Sequence, residues 1–233
     1  MSTNTLADPD RIAQALDAFP DTFLNLSRDE QQVSLAIYRL LATGEPVLPE
    51  AIAAEAGVAV ERVGELLDRW IGVYRDAEGR VVGYWGLALS EANHCLEVAG
   101  RTLYAWCAWD ALFIPALLGQ TAEVTSKSPV SGEAIHLTVS PEDARSTDDK
   151  DVYVSFLEPD EDKLAEDVIG AFCHYVFFFA SLEEGQQWTT AHPGTYLLTL
   201  DQAFELGRRK NARQYLDVLT EAGEGKKQNV PLV

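Results

Sequence analysis

Between residues 29 and 43 (DEQQVSLAIYRLLAT) the apolar positions Val33, Ile37, Leu40 and Leu41 recur at three- and four-residue steps. That is the period of an amphipathic helix, and Gly44, Glu45 and Pro46 stop it. Residues 48–56 and 60–70 predict two shorter helices joined at Gly57, the layout of a helix-turn-helix pair. Val73 and Tyr74 then begin a strand, residues 76–79 (DAEG) turn, and Val81, Val82 and Tyr84 return. Three helices followed by a hairpin is the plan of a winged helix.

Beyond residue 86 the element types alternate. Residues 87–98 read as extended. Residues 104–118 (YAWCAWDALFIPALL) are almost wholly apolar and predict a buried helix, bent or begun near Pro115 and closed by Gly119. Residues 124–139 predict a hairpin with Pro129 and Gly132 in its turn, followed by an acidic loop over 141–151. A strand over 152–157 and a short helix over 162–169 come next. Residues 171–180 (AFCHYVFFFA) predict a central strand covered on both faces. A helix over 182–192, a strand over 196–200 and a final helix over 202–220 complete the order, and residues 223–233 are expected to fray. No internal repeat or low-complexity segment interrupts it. The expected architecture is α+β, or mixed α/β: a small helical winged-helix-like module over residues 1–86, then a mixed-sheet catalytic domain over 87–233.

A chain of 233 residues, 47% hydrophobic, can bury a sizeable core. Residues 1–10 are polar and lack the basic start and apolar run of a signal peptide, and no stretch is long and apolar enough to suggest a membrane span. A cytoplasmic protein is the expectation. The formal charge of −19 repels phosphate backbones and anionic lipid, which disfavours nucleic acid and membranes as partners. The second helix of the pair sets Glu61, Glu65 and Asp68 against Arg62 and Arg69, and the first adds Glu50 and Glu55 without a base. A recognition helix needs the opposite balance, so this module reads as a structural cap.

Three cysteines, Cys95, Cys107 and Cys173, are too few and too widely spaced for a disulfide framework or a local zinc knuckle. Cys107 and Asp110 lie three residues apart in the apolar segment, where a helix would put them on one face. Cys173 falls near the start of the aromatic strand. An aspartate within an apolar helix needs a partner or a proton. These facts alone leave two readings open: buried structural thiols with Asp110 capping a helix or bonding a nearby amide, or a reactive group of three. His94, His136, His174 and His192 form no spaced metal set with the cysteines, and in a strand His174 points away from Cys173.

The wording of two segments separates the readings. Residues 101–119 are RTLYAWCAWDALFIPALLG and residues 172–181 are FCHYVFFFAS. Both resemble the active-site segments of the organomercurial (alkylmercury) lyases, the MerB family. That pattern has LYAWCA, an acid three residues after the cysteine and a proline-alanine step, then a phenylalanine-cysteine pair followed by aromatics. The stretch SGEAIHLTVSP, residues 131–141, also resembles the family between them. The likeness runs from about residue 41 to 204, strongest over 101–181 and thin before 76. It implies the compact MerB-like mixed-sheet fold for the second domain. It also implies that Cys107 and Cys173 are the catalytic cysteines and Asp110 the catalytic carboxylate, all three being ligands to mercury. Cys95 matches no catalytic position. His174 stands where some members carry another cysteine, and Ser128 where a hairpin cysteine falls. Both departures bear on how mercury leaves.

The chemistry explains the residue types. Mercury is a soft cation and thiolate the softest side-chain ligand. One thiolate captures R–Hg⁺, and a second raises electron density on the bonded carbon until that carbon accepts a proton. The products are R–H and Hg²⁺ held by two sulfurs, with no organic cofactor and no redox change. Asp110 then has the role of proton shuttle, either raised in pKa by burial or loaded by a proton that metal binding drives off a thiol. Trp106 and Phe172 flank the cysteines as expected pocket wall. Organomercury compounds such as methylmercury or phenylmercury are the implied substrates, with mercuric reductase and small thiols as acceptors of Hg²⁺. Two rivals remain beside this expectation: a soft-metal carrier that does no chemistry, and a metal-responsive regulator built on the winged helix.

Overall fold

The computed structural model describes residues 6–17, 19, 24–158 and 160–219. The tail expected to fray, 223–233, and the last residue expected in the final helix, Thr220, lie outside them. The N-terminal module holds helices α1 (Pro9–Gln14), α2 (Arg28–Leu41), α3 (Pro49–Ala56) and α4 (Val60–Arg69) and the hairpin β1 (Val73–Arg75) and β2 (Val81–Tyr84). Local chemistry sets the ends. The Ser27 N–H donates to the Glu30 side chain at 2.7 Å, half of a capping box on α2. Pro49 opens α3, and Gly57, at φ 68°, closes it in the left-handed region. Three bases of the module pair with its acids: Arg62 and Arg69 with Glu30, and Arg75 with Asp68.

The chain continues through β3 (Leu87–Ala88), β4 (His94–Val98), β5 (Arg101–Ala105), α5 (Ala108–Leu118), β6 (Ala122–Lys127), β7 (Ala134–Val139) and β8 (Ala144–Ser146). The hairpin of the winged helix joins these strands in one eight-stranded sheet, ordered β1-β2-β3-β5-β4-β6-β7-β8. A second sheet of three strands places β9 (Tyr153–Leu157) between β10 (Phe178–Phe179) and β11 (Thr195–Thr199). Every ladder between these strands is antiparallel, and the parallel contact is the isolated bridge from Leu6 to Leu197. The remaining helices are α6 (Glu161–Glu166), α7 (Val168–Ala171), α8 (Leu182–Ala191) and α9 (Leu200–Gln214). The mixed α/β architecture with an N-terminal helical module is as the sequence predicts, but the sheet of the second domain, expected to be mixed, is antiparallel because most of its strands follow one another through hairpins and short turns.

Several boundaries differ from expectation, each for a physical reason. Residues 104 and 105 are strand, not helix: Ala105 pairs with Leu87 on one side and His94 on the other. The helix starts at Ala108, and Pro115 lies inside it rather than at its start. The stretch expected to be extended over 87–98 breaks into β3 and β4, and the short helix over 162–169 is two, α6 and α7. The largest correction concerns residues 171–180. They form the end of α7, a 3-10 turn over Cys173–Tyr175 and a two-residue edge strand, β10. The central strand is β9. Ser155 of β9 replaces the missing ladder: its hydroxyl donates to the Tyr175 carbonyl at 2.7 Å and accepts the Phe177 N–H at 2.9 Å. The aromatic run is buried by packing rather than by pairing, with Phe172 edge-on to Trp109, Phe156 and Phe19.

Two contacts fix the core around the later site. Helices α5 and α9 approach closely at Gly207, where a Cβ would stand 2.9 Å from that of Phe113. The Trp109 indole N–H donates to the Ala203 carbonyl at 3.2 Å, and the Asn211 amide donates to the Phe113 carbonyl at 2.9 Å. On the other side, Ser34 of α2 bonds the hydroxyls of Tyr84 and Tyr215, each at 2.8 Å, tying the N-terminal module to the C-terminal helices. His94 is an interior histidine, with Nδ1 2.8 Å from the Ser126 hydroxyl and burial pushing its pKa down to about 3. Among the described residues no helix is long and apolar enough to cross a membrane.

Candidate active site

Strand β5 delivers the chain to the site. After Ala105 the Trp106 N–H bonds the Gly86 carbonyl at 2.9 Å, and Cys107 then takes the N-cap of α5 with extended backbone (φ −138°, ψ 170°). Asp110 is the third helical residue, and its Oδ2 accepts the Cys107 N–H at 3.0 Å in a capping-box arrangement. The sequence expectation that both residues share a helix face is therefore corrected. Cys107 stands outside the helix, and the cap brings the two together.

Cys173 arrives from the opposite direction. It opens the 3-10 turn after α7, and the Val176 carbonyl closing that turn accepts the N–H of Ala108 at 3.1 Å. One backbone bond thus ties the two cysteine segments together. The Cys173 thiol donates to Asp110 Oδ2 at 3.9 Å. The ligand atoms of Cys107, Asp110 and Cys173 lie within 4.8 Å of one another, and all three residues are buried. Among the described residues no histidine joins a group of this kind. His174 is exposed, which follows from the turn and not from a strand face. Ser128 is buried and bonds the Glu184 carboxylate at 2.7 Å. Cys95 lies apart on β4, beside Glu97.

The closeness of Asp110 to the backbone needs a glycine. A Cβ on Gly86 would stand 2.4 Å from the Asp110 carboxylate, and the residue has φ 95°, a region side chains rarely adopt. The preceding carbonyl, of Trp85, accepts the Tyr38 hydroxyl at 2.7 Å, so α2 holds the loop against the carboxylate from behind. Gly86→Ala is expected to destabilise the fold by about 2 to 3 kcal/mol in urea unfolding. A loss below about 0.5 kcal/mol, within the range of ordinary surface changes, would show that the carboxylate is not pinned there.

Burial sets the protonation of the site. It holds the Cys107 thiol well above its ordinary range, and Cys173 and the Asp110 carboxylate add to the effect. A hydrogen bond from Cys107 lowers Cys173, but burial and Asp110 outweigh it, and that thiol too ends raised. Burial pushes Asp110 up to about 6 against the hydrogen bonds from Cys107 and the attraction of Lys210. The helix N-terminus at Cys107 favours a thiolate, and burial is the larger effect. The resting site is two neutral thiols beside a carboxyl group that exchanges its proton near neutrality.

The surrounding space is small and apolar, about 20 Å³, or room for about one water. Trp106 and Phe172, expected as wall, both line it, with Trp109, Phe113, Gly86 and Lys210. Lys210 is the residue that sequence reasoning missed. Its signal was available: with Ala203, Leu206 and Gly207 it lies on the buried stripe of α9, where a lysine is out of place. Cys173 and Asp110 line this space and Cys107 is buried beside them, and two thiols and a carboxyl group so placed can ligate one soft ion, lose protons as they bind it, and pass one proton to a group bound to that ion.

Comparisons with known proteins place this fold. The family described as alkylmercury lyase matches residues 87–210, and the helix-turn-helix domain of alkylmercury lyase matches residues 25–85. An alkylmercury lyase of Staphylococcus epidermidis is 43% identical over 177 residues, covering 76% of this chain and 80% of that protein. One from Pseudomonas putida is 38% identical over 199 residues, covering 84% and 89%. Among solved structures, the mercury-bound form of MerB2 superposes with a TM-score of 0.63 at 23% identity, covering 86% of this chain and 97% of that one, a likeness of fold.

Proposed function

This chain belongs to the alkylmercury lyase family, and we propose from that premise that it cleaves the carbon–mercury bond by protonolysis, with Cys107 and Cys173 as mercury ligands and Asp110 as proton shuttle. The observation that carries the assignment of residues is the convergence of two sulfurs and a carboxylate, remote in sequence, within 4.8 Å.

The steps follow from the protonation state. R–Hg⁺ meets one thiol, forms a Hg–S bond and displaces its proton, which Asp110 accepts. The second thiol adds and loses its proton to solvent. Electron density from two sulfurs makes the Hg–C bond polar enough for carbon to take the proton held by Asp110. The Hg–C pair becomes the new C–H bond, leaving R–H and Hg²⁺ between two thiolates. Two thiol protons enter, one leaves in R–H and one is released, and nothing is oxidised or reduced. A carboxyl group near pKa 6 suits this traffic, since it both accepts and donates near neutral pH. Removal of Hg²⁺ requires a competing soft ligand, which makes small thiols or the thiols of a mercuric reductase the acceptors.

The division at residue 86 is then a division of labour. Residues 87–233 hold the reacting groups, and residues 1–86 supply wall and backing through Phe19, Trp85 and Gly86. The test is headspace detection of methane from methylmercury, or benzene from phenylmercury, by the purified protein with excess small thiol. The expected result is one hydrocarbon per mercury released. Hydrocarbon at the level of thiol alone would refute the assignment.

A further inference from the structure

Lys210 is the cationic residue among those lining the cavity, and it is buried, with 1% of its surface exposed. Its Nζ lies 3.8 Å above the centre of the Phe113 ring, 5.5 Å from that of Tyr215 and 3.4 Å from the Asn211 carbonyl oxygen. That oxygen is aimed: the Asn211 amide nitrogen is already committed to the Phe113 carbonyl, which fixes how the group is turned. Such a seat suits an ammonium, because ring faces and a carbonyl oxygen all offer negative charge. Packing alone does not call for it. A methionine would fill similar space without the desolvation cost of a buried charge.

The site nearby accounts for the cation. Loss of the second thiol proton to solvent leaves a formal charge of −1 on the mercury–thiolate unit, and that charge moves to the Asp110 carboxylate as Asp110 gives up its proton to carbon and Hg²⁺ with two thiolates becomes neutral. Asp110 is also the charged group acting on Lys210. We propose that Lys210 is a positioning residue that balances the negative charge moving onto Asp110 as the bond breaks, a role that rests on the lyase mechanism given above. It touches neither substrate nor mercury. It acts through Asp110, in an apolar space where a positive charge, which Lys210 carries below about pH 7, is worth more than in water.

The experiment compares wild type with Lys210→Met, Lys210→Gln and Lys210→Arg, using methylmercury chloride with excess small thiol and following methane. Lys210→Met is expected to lower kcat roughly tenfold, the scale of one charge removed from the cavity that Asp110 also lines. KM should change by less than about twofold, because capture by sulfur is untouched. Its Tm should not fall, since an apolar side chain replaces a buried ammonium. Lys210→Gln should track the methionine variant, and Lys210→Arg should keep most of the rate. An active wild type with an equally active methionine variant overturns this proposal alone. So does a fall in rate that comes only with a fall in Tm, or a glutamine variant that keeps the full rate. An inactive wild type overturns the lyase mechanism and the proposal with it.

Discussion

Cys107→Ser is expected to reduce hydrocarbon release by at least about a thousandfold while leaving the fold intact, and Cys173→Ser to do the same. The two halves of that expectation have different causes. Loss of rate follows from ligand softness: a serine oxygen is a poor ligand for mercury, and one remaining sulfur cannot raise electron density on carbon as two do. Preservation of the fold follows from the cap. Cys107 occupies an N-cap, a position where serine is among the preferred residues, and the Asp110 carboxylate accepts the backbone N–H of residue 107, a bond that serine keeps. Thermal unfolding should therefore differ little between wild type and Cys107→Ser. Cys95→Ser, remote on β4, serves as the control and should release methane at the wild-type rate. Release by either active-site serine variant within tenfold of wild type would remove the need for paired sulfurs and sink the mechanism.

The same cap shows how far sequence reasoning reaches. The N-terminal helices were legible because Val33 and Ile37, or Val63, Leu66 and Leu67, alternate with polar neighbours, and period survives wherever one face meets water. Residues 104–118 have no polar face. Nothing in YAWCAWDALF marks where a strand stops and a helix starts, so the boundary at Cys107 was hidden although the residues themselves were recognised. The aromatic run at 171–180 misled for a related reason. Its apolar residues were read as two covered faces of a strand, whereas Ser155 supplies from a neighbouring strand the bonds that a ladder would have given. Which residues matter was therefore clearer than how they meet. Tertiary bonds such as that from Ala108 to the Val176 carbonyl join segments with no relation along the chain. Lys210 belongs to no motif, and its signal is that a lysine on the apolar stripe of α9 contradicts its own helix pattern. Such local contradictions mark functional positions.

Asp110→Asn separates binding from chemistry, and it should also make the protein more stable above pH 6. Asparagine keeps the size of the side chain and an oxygen to accept the Cys107 N–H, so two sulfurs remain to hold mercury. It has no proton to give to carbon at neutral pH. Hydrocarbon release should fall by about a hundredfold to ten-thousandfold, the usual worth of a placed general acid, while one Hg²⁺ per chain still binds. A carrier that does no chemistry predicts no hydrocarbon from wild type either, so the pair of measurements distinguishes the two. The stability effect follows from the same group. Burial raises Asp110 to about 6, above the ordinary carboxyl value, so between roughly pH 4 and 6 the folded protein binds more protons than the unfolded chain. Its contribution is therefore fully present below the unfolded pKa and is lost as pH rises through about 6. At pH 8 the folded state carries a buried charge costing on the order of 3 kcal/mol, which asparagine removes. Lys210 does not reverse the sign. Burial lowers it to about 7, so at pH 8 it is mostly neutral, and at pH 4.5 it faces an uncharged residue 110 in both proteins. Urea unfolding of Asp110→Asn should show a gain over wild type at pH 8 that falls to about a third at pH 4.5 and vanishes only below the unfolded carboxyl pKa. Equal stability at both values would mean that the carboxyl group does not hold a proton near neutrality, and the proton would then have to reach carbon from a thiol directly.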